Sequence, residues 1–192
     1  MQSKIILASA SPRRIEILKN HGVEAEVIPA DIDESTDEST PPHILCMYNA
    51  LKKALNVYER VSEGIIIAAD TIVYCEGVIG KPMNEEAAFN TLSMLRGRTH
   101  SVYSGVALID VWTGEKTIFF DRTDVTFTLY SDEDIRAYIA TGEPMDKAGS
   151  YAIQGEWARF VSLTVGDFSN VVGLPWKKLE TELKCFDKGI ES

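Results

Sequence analysis

Residues 65–69 read IIIAA, and Asp70 closes the run. Three β-branched residues followed by two small ones have the length and composition of a buried strand. A carboxylate at the end of such a strand sits where open α/β sheets place their ligands. The neighbouring segments supply the layers. KIILA at 4–8 predicts a second buried strand. PRRIEILKNH at 12–21 predicts a helix, with Ser11 as N-cap, Pro12 at the first helical position and Gly22 just past the end. VEAEVIPA (23–30) alternates like a strand, DIDESTDEST (31–40) is an acidic loop, and a long helix spans about 42–61. TIVYCEGVIG (71–80) predicts a hairpin turning near Glu76 and Gly77, and Asn84 caps a helix through Leu95. Strands at about 99–112 and 115–129 turn at Trp112-Thr113-Gly114, and Ser131 to Asp134 form a capping box with Asp in place of Glu. A loop at 143–157, a strand ARFVSLTV and a helix at 175–186 complete the chain. Strands alternate with helices, but hairpins intrude. The fold class is therefore α/β with a mixed sheet.

The 192 residues fit one domain, or one domain with two lobes. No apolar run approaches the ~20 residues that span a bilayer, and no signal peptide is expected. Cys46, Cys75 and Cys185 are widely spaced, with no C-x-x-C pair. They read as free thiols of a reducing compartment and offer no zinc site. The net charge of −10 argues against a binder of long nucleic acid, which must neutralise phosphates. Small anions remain open where a few basic residues converge.

LASASPRR at 7–14 places two arginines at a helix start that already carries partial positive charge. Arg13 and Arg14 there point to an anion, and phosphate suits a guanidinium beside free N–H groups, with Ser9 and Ser11 as hydroxyl donors. The plain alternative is arginines in water or paired with Glu16 or the acidic loop. Asp70 is a candidate metal ligand or general base, or merely the end of a strand. Of the acidic loop's Asp31, Asp33 and Glu34, one carboxylate could join Asp70 in holding Mg²⁺. On the long helix, Ile44, Tyr48, Leu51, Leu55 and Tyr58 share one face. Lys52 falls on a polar side. Lys53 falls with Cys46, Asn49, Ala50 and Val57, so it lines a cleft or snorkels past them. Lys81 lies in a Gly-Lys-Pro turn, without the spacing of a P-loop. Gln154 could meet a base edge, since an amide both donates and accepts; a solvated turn is the alternative.

The segments LASASPRR, DIDE, ALKKA, AADTIV, GKP, GRTHSV, EPMDKAGSYAIQG and VVGLP, in this order and over nearly the whole chain, resemble the Maf family of nucleoside triphosphate pyrophosphatases. The resemblance implies one Maf-like domain over 1–192, with an elongated mixed sheet flanked by helices and two lobes about a central cleft, as in inosine triphosphate pyrophosphatases. It implies hydrolysis of a nucleoside triphosphate to the monophosphate and pyrophosphate, with Mg²⁺ or Mn²⁺, in a cytoplasmic homodimer that clears unwanted nucleotides. The family's catalytic carboxylate falls on Asp70, its metal ligands on Asp70 and Glu34, and its phosphate contacts on Ser9, Arg13, Arg14, Lys53 and Lys81. Arg13, Thr71 and Gln154 match the branch acting on dTTP and UTP. The family's association with septum formation leaves a nucleotide-sensing regulator of cell division as the alternative.

Overall fold

The computed structural model describes residues 4–37 and 39–188, with side chains through Phe186; Glu38 of the acidic loop lies outside the described residues. β1 (Ile5–Leu7), α1 (Pro12–Asn20), β2 (Ala25–Val27), α2 (Pro42–Tyr58), β3 (Ile65–Tyr74) and β4 (Val78–Ile79) form the first half. α3 (Glu85–Leu95), β5 (Thr99–Asp110), β6 (Lys116–Phe127), α4 (Asp132–Ala140), β7 (Val161–Val165), α5 (Phe168–Val172) and α6 (Trp176–Lys188) follow. Among the described residues, seven strands make one sheet in the order β2-β1-β3-β5-β6-β7, with β4 paired to β3. β1 runs parallel to β2 and β3, while β3, β5, β6 and β7 pair antiparallel in succession. The sheet is mixed, as the hairpin signals require.

Local chemistry accounts for most boundaries. Asn84 accepts a hydrogen bond from the Ala87 amide at the start of α3, and Ser131 and Asp134 complete the capping box of α4. Gly22 follows α1 with φ +75°, the left-handed geometry that ends helices. Ser11 stands at the N-cap of α1, but its side chain makes no capping bond. The expected loop at 143–157 instead holds short 3₁₀ turns at Glu143–Asp146 and Ala148–Ser150, and a third begins at Glu156.

β3 differs from expectation in one respect that matters for the site. Asp70 does not end the strand. β5 pairs with β3 along its whole length, from Ile65 opposite Asp110 to Tyr74 opposite Ser101, and this ladder carries the strand past Asp70. Alternation then fixes which way each side chain faces. Ile65, Ile67 and Ala69 join the larger core cluster, which includes Leu92 of α3, Ile135 of α4 and Leu179 of α6. Ile66 and Ala68 join a second cluster with Ala50, Ala54 and Val57 of α2. Asp70 has the parity of Ile66 and Ala68, so its carboxylate faces α2.

The face that α2 turns to the sheet is the stripe of small residues. Cys46, Asn49, Ala50, Lys53 and Val57 are buried, whereas Ile44, Tyr48 and Leu55 are exposed. Close approach needs a gap in the sheet, and Gly105, opposite Asp70, supplies it. A Cβ on Gly105 would lie 2.4 Å from the Cys46 carbonyl carbon and 2.5 Å from the Met47 nitrogen, both backbone atoms. Gly105→Ala should therefore force α2 outward and lower the unfolding free energy by about 1–3 kcal/mol, measured in urea.

On the other face, His100 is 2% exposed and its Nε2 lies 2.7 Å from the Tyr151 hydroxyl. Burial pushes the His100 pKa down from 6.5 to about 4, opposed by the charge of Asp124. The unfolded chain takes up a proton there below pH 6.5, and the folded chain refuses it until about pH 4. The contribution is full above 6.5 and is lost as pH falls toward 4, a drop of about 3 kcal/mol. Urea titrations across this window should show that slope in the parent protein and a flatter one in His100→Gln.

Candidate active site

The sheet end beside α1 and α2 opens into a cleft of about 680 Å³. Ser9, Arg13, Arg14, Glu34, Lys53, Asp70, Thr71, Lys81 and Gln154 all line it. These residues come from the β1–α1 turn, the first turn of α1, the acidic loop, α2, β3, the segment after β4 and the segment before β7. Of the acidic-loop carboxylates singled out in the sequence, Glu34 lines this cleft, whereas Asp31 and Asp33 are not among its lining residues.

At its base stands a charge cluster built on a buried pair. Lys53 Nζ lies 2.7 Å from Asp70 Oδ1 and 2.6 Å from Glu34 Oε1, and donates to the Ala69 carbonyl at 3.4 Å. Lys53 is 9% exposed and Asp70 6%, so each charge depends on the other for its stability in a poorly solvated setting. Glu34 reaches the same ammonium from the exposed acidic loop. Asn49 donates from Nδ2 to Asp70 Oδ2 at 3.2 Å and to the Ser35 carbonyl at 3.0 Å, and accepts from the Ser35 amide at 2.8 Å. One α2 side chain thus holds both the buried carboxylate and the acidic loop. The same negative field reaches Cys46, whose thiol is pushed up to about 12, first by burial and then by Asp70. At that value it is no nucleophile.

The two arginines take different parts. Arg14 turns inward: Nε donates to the Gly173 carbonyl at 2.9 Å, one terminal nitrogen to Ser9 Oγ at 3.1 Å, the other to Thr71 Oγ1 at 3.2 Å. Thr71 is 2.9 Å from Ser104 Oγ, which donates to the Asn170 carbonyl at 2.9 Å. Gly173 takes φ +119°, a backbone conformation that favours glycine, and presents its carbonyl to this guanidinium. Arg14 is a strut that ties α1 to β3 and α5, and burial lowers its pKa while Asp70 and Glu34 oppose the shift. Arg13 makes no hydrogen bond or ion pair among the described residues, and neither does Lys81. Both line the cleft.

Several further residues line the cleft without a local signal in the sequence. Asp146 pairs with Lys147, which holds the Asp146 carboxyl below its ordinary range with help from Arg13. Glu143 and Tyr151 also line the cleft. All four belong to the segment EPMDKAGSYAIQG, but their places became visible only once the 3₁₀ turns folded them over the sheet.

Among the described residues, no group of three His, Cys, Asp or Glu side chains could hold a metal ion. Asp70 and Glu34 nevertheless converge on one cationic atom, Lys53 Nζ. Two hard oxygen donors aimed at one point suit Mg²⁺, which is commonly held by one or two carboxylates plus substrate phosphates and water. Such an ion and the Lys53 ammonium compete for the same pair of carboxylates. No helix among the described residues is long and apolar enough to cross a membrane.

A dTTP/UTP pyrophosphatase of Caldicellulosiruptor saccharolyticus is 46% identical over 186 residues, covering 94% of each chain. A dTTP/UTP pyrophosphatase of Bacillus cereus is 48% identical over 186 residues, covering 96% of each. A solved nucleoside-triphosphatase / dITP/XTP pyrophosphatase from Mycobacterium abscessus aligns over 65% of this chain and 74% of that one at 21% identity; its TM-score of 0.41 is too low to bear on the fold. The profile of the Maf-like proteins matches residues 4–186, and the chain belongs to that family.

Proposed function

We propose that this chain is a nucleoside triphosphate pyrophosphatase that hydrolyses dTTP and UTP to the monophosphate and pyrophosphate, and so clears nucleotide pools. The observation that carries the reading is the division of charge in one cleft. Two carboxylates converge at its base, and Arg13 and Lys81 stand at its wall without a protein partner among the described residues. The named activity of relatives near 47% identity points to the same substrates.

Arg13, Lys81 and the Ser9 hydroxyl bind the triphosphate, and Lys53 adds its ammonium from the base of the cleft. Arg14 holds Ser9 and Thr71 in place rather than reaching for phosphate. Asp70 and Glu34 would hold Mg²⁺ or Mn²⁺, which when bound supplies positive charge to offset that of the phosphates. Asp70 orients a water and accepts its proton. The water oxygen bonds to the α-phosphorus, the bond from that phosphorus to the bridging oxygen breaks, and pyrophosphate leaves with the electron pair. Positioning and charge stabilisation supply most of the rate. Gln154 meets the base edge, while Arg13 and Thr71 set the shape of the pocket. The reading includes a cytoplasmic homodimer, by family resemblance.

Incubation of the protein with dTTP, UTP and Mg²⁺, followed by product identification, tests this directly. Pyrophosphate with the monophosphate is expected. Orthophosphate would mark a phosphatase, and tight binding without products a sensor. Asp70→Asn should lower kcat by about 10²–10⁴-fold while the circular dichroism stays that of the folded protein.

A further inference from the structure

The loop that carries Glu34 has no backbone partners of its own. Residues 29–36 form neither helix nor strand, and among the described residues none of their amides or carbonyls bonds to another backbone group. The Glu34 side chain is a weak anchor. It is 48% exposed and pairs with Lys53. An ion pair so open to water contributes less than the entropy lost in ordering even one residue of backbone. Yet Pro29, Ala30 and Glu34 form part of the cleft wall, so something else holds the loop there.

The holding groups are side chains on and just past α2. Asn49 grips Ser35 at two points: Oδ1 accepts from the Ser35 amide at 2.8 Å, and Nδ2 donates to the Ser35 carbonyl at 3.0 Å. Asn56 grips Asp31 in the same way, at 3.1 Å and 3.3 Å. Between them Lys52 Nζ donates to the Asp33 carbonyl at 2.7 Å. Arg60 donates to the Pro29 carbonyl at 3.0 Å and to Asn56 Oδ1 at 3.2 Å. Helical rotation puts Asn49, Lys52 and Asn56 within about 60° of one another, so they form one polar stripe. Loop positions 35, 33, 31 and 29 meet positions 49, 52, 56 and 60 in turn, so the loop runs antiparallel to the helix. These bonds supply partners that the loop backbone otherwise lacks.

Asn49 does one thing more. Its Nδ2 also donates to Asp70 Oδ2 at 3.2 Å. Only one orientation of the amide fills all three bonds, because the Ser35 N–H needs an oxygen and the Asp70 carboxylate needs an N–H. One side chain, 2% exposed, thereby joins the loop to the buried acid.

We propose that Asn49, Lys52 and Asn56 are positioning residues, which dock the acidic loop along α2 and so set the Glu34 carboxylate opposite Asp70 for a divalent cation. This rests on the pyrophosphatase reading above and adds what holds its metal site together. With the loop undocked, only a fraction of molecules present both carboxylates at once. Apparent metal affinity falls by that fraction, while the rate of the fully loaded site is kept.

The double variant Lys52→Met/Asn56→Ala removes bonds to the loop and changes no residue that lines the cleft. In the protein without nucleotide or metal, hydrogen exchange of the Ser35 amide, whose own partner is intact, should quicken at least about tenfold. Unchanged exchange overturns the assignment. With UTP as substrate, the Mg²⁺ concentration for half-maximal rate should rise about 5- to 20-fold, with kcat at saturating Mg²⁺ within about threefold of the parent. In a Glu34→Gln background the same two substitutions should change the Mg²⁺ requirement by less than about twofold. An unchanged requirement in the first case, or an equal rise in both backgrounds, overturns the assignment. Failure of the unmutated protein to release pyrophosphate from UTP would instead sink the pyrophosphatase reading. Mn²⁺ binding read by electron paramagnetic resonance then decides: weaker binding by the double variant supports the docking role, and equal binding overturns it.

Discussion

A lysine ammonium held between two carboxylates at a helix–sheet contact is the constraint on which the site depends. Removing Lys53 and Asp70 from water costs several kcal/mol per charge, and the cost is met only when partners are close and the remaining hydrogen bonds are filled. The structure meets both conditions. Nζ lies 2.7 Å from Asp70 and 2.6 Å from Glu34, and Asn49 takes the second Asp70 oxygen. This demands that α2 lie almost on the sheet. The small residues of its buried stripe and the missing side chain at Gly105 are how the chain satisfies that demand. The core geometry and the chemistry are therefore one problem: what brings α2 near also sets Asp70 against its partners.

The cleft also resolves the tension between a protein of net charge −10 and a polyanionic substrate. Field strength at a site comes from local arrangement rather than from the sum over the surface. Arg13 and Lys81 stand in the cleft without an ion-pair partner among the described residues, although Arg13 feels the charge of Asp146, while Glu34, Asp70 and Asp146 are each paired with lysine. The helix start at α1 adds its own partial charge. Arg14, beside it, holds Ser9, Thr71 and Gly173 in register.

Much of this was legible in the sequence. The run IIIAA marked β3, LASASPRR marked the turn where cations gather, and helical spacing put Lys53 with Cys46, Asn49 and Ala50 rather than with Lys52. Strand pairing was less so. Asp70 looked like a strand terminus because the polar residues Asp70 and Thr71 interrupt an apolar run. Only β5, far away in the chain, explains why the strand goes on. The division of labour between Arg13 and Arg14 was likewise hidden, since the acceptors of Arg14 at Thr71 and Gly173 are remote in sequence.

The most direct measurement is a double-mutant cycle on Lys53→Met and Asp70→Asn, read as unfolding free energy in urea. If the buried pair organises the contact between α2 and the sheet, each single change leaves a charge short of its partner, and the double change costs less than the sum by about 1–3 kcal/mol. Strict additivity of the two losses would mean that the charges do not depend on each other, and would contradict the pairing on which the arrangement of the site rests.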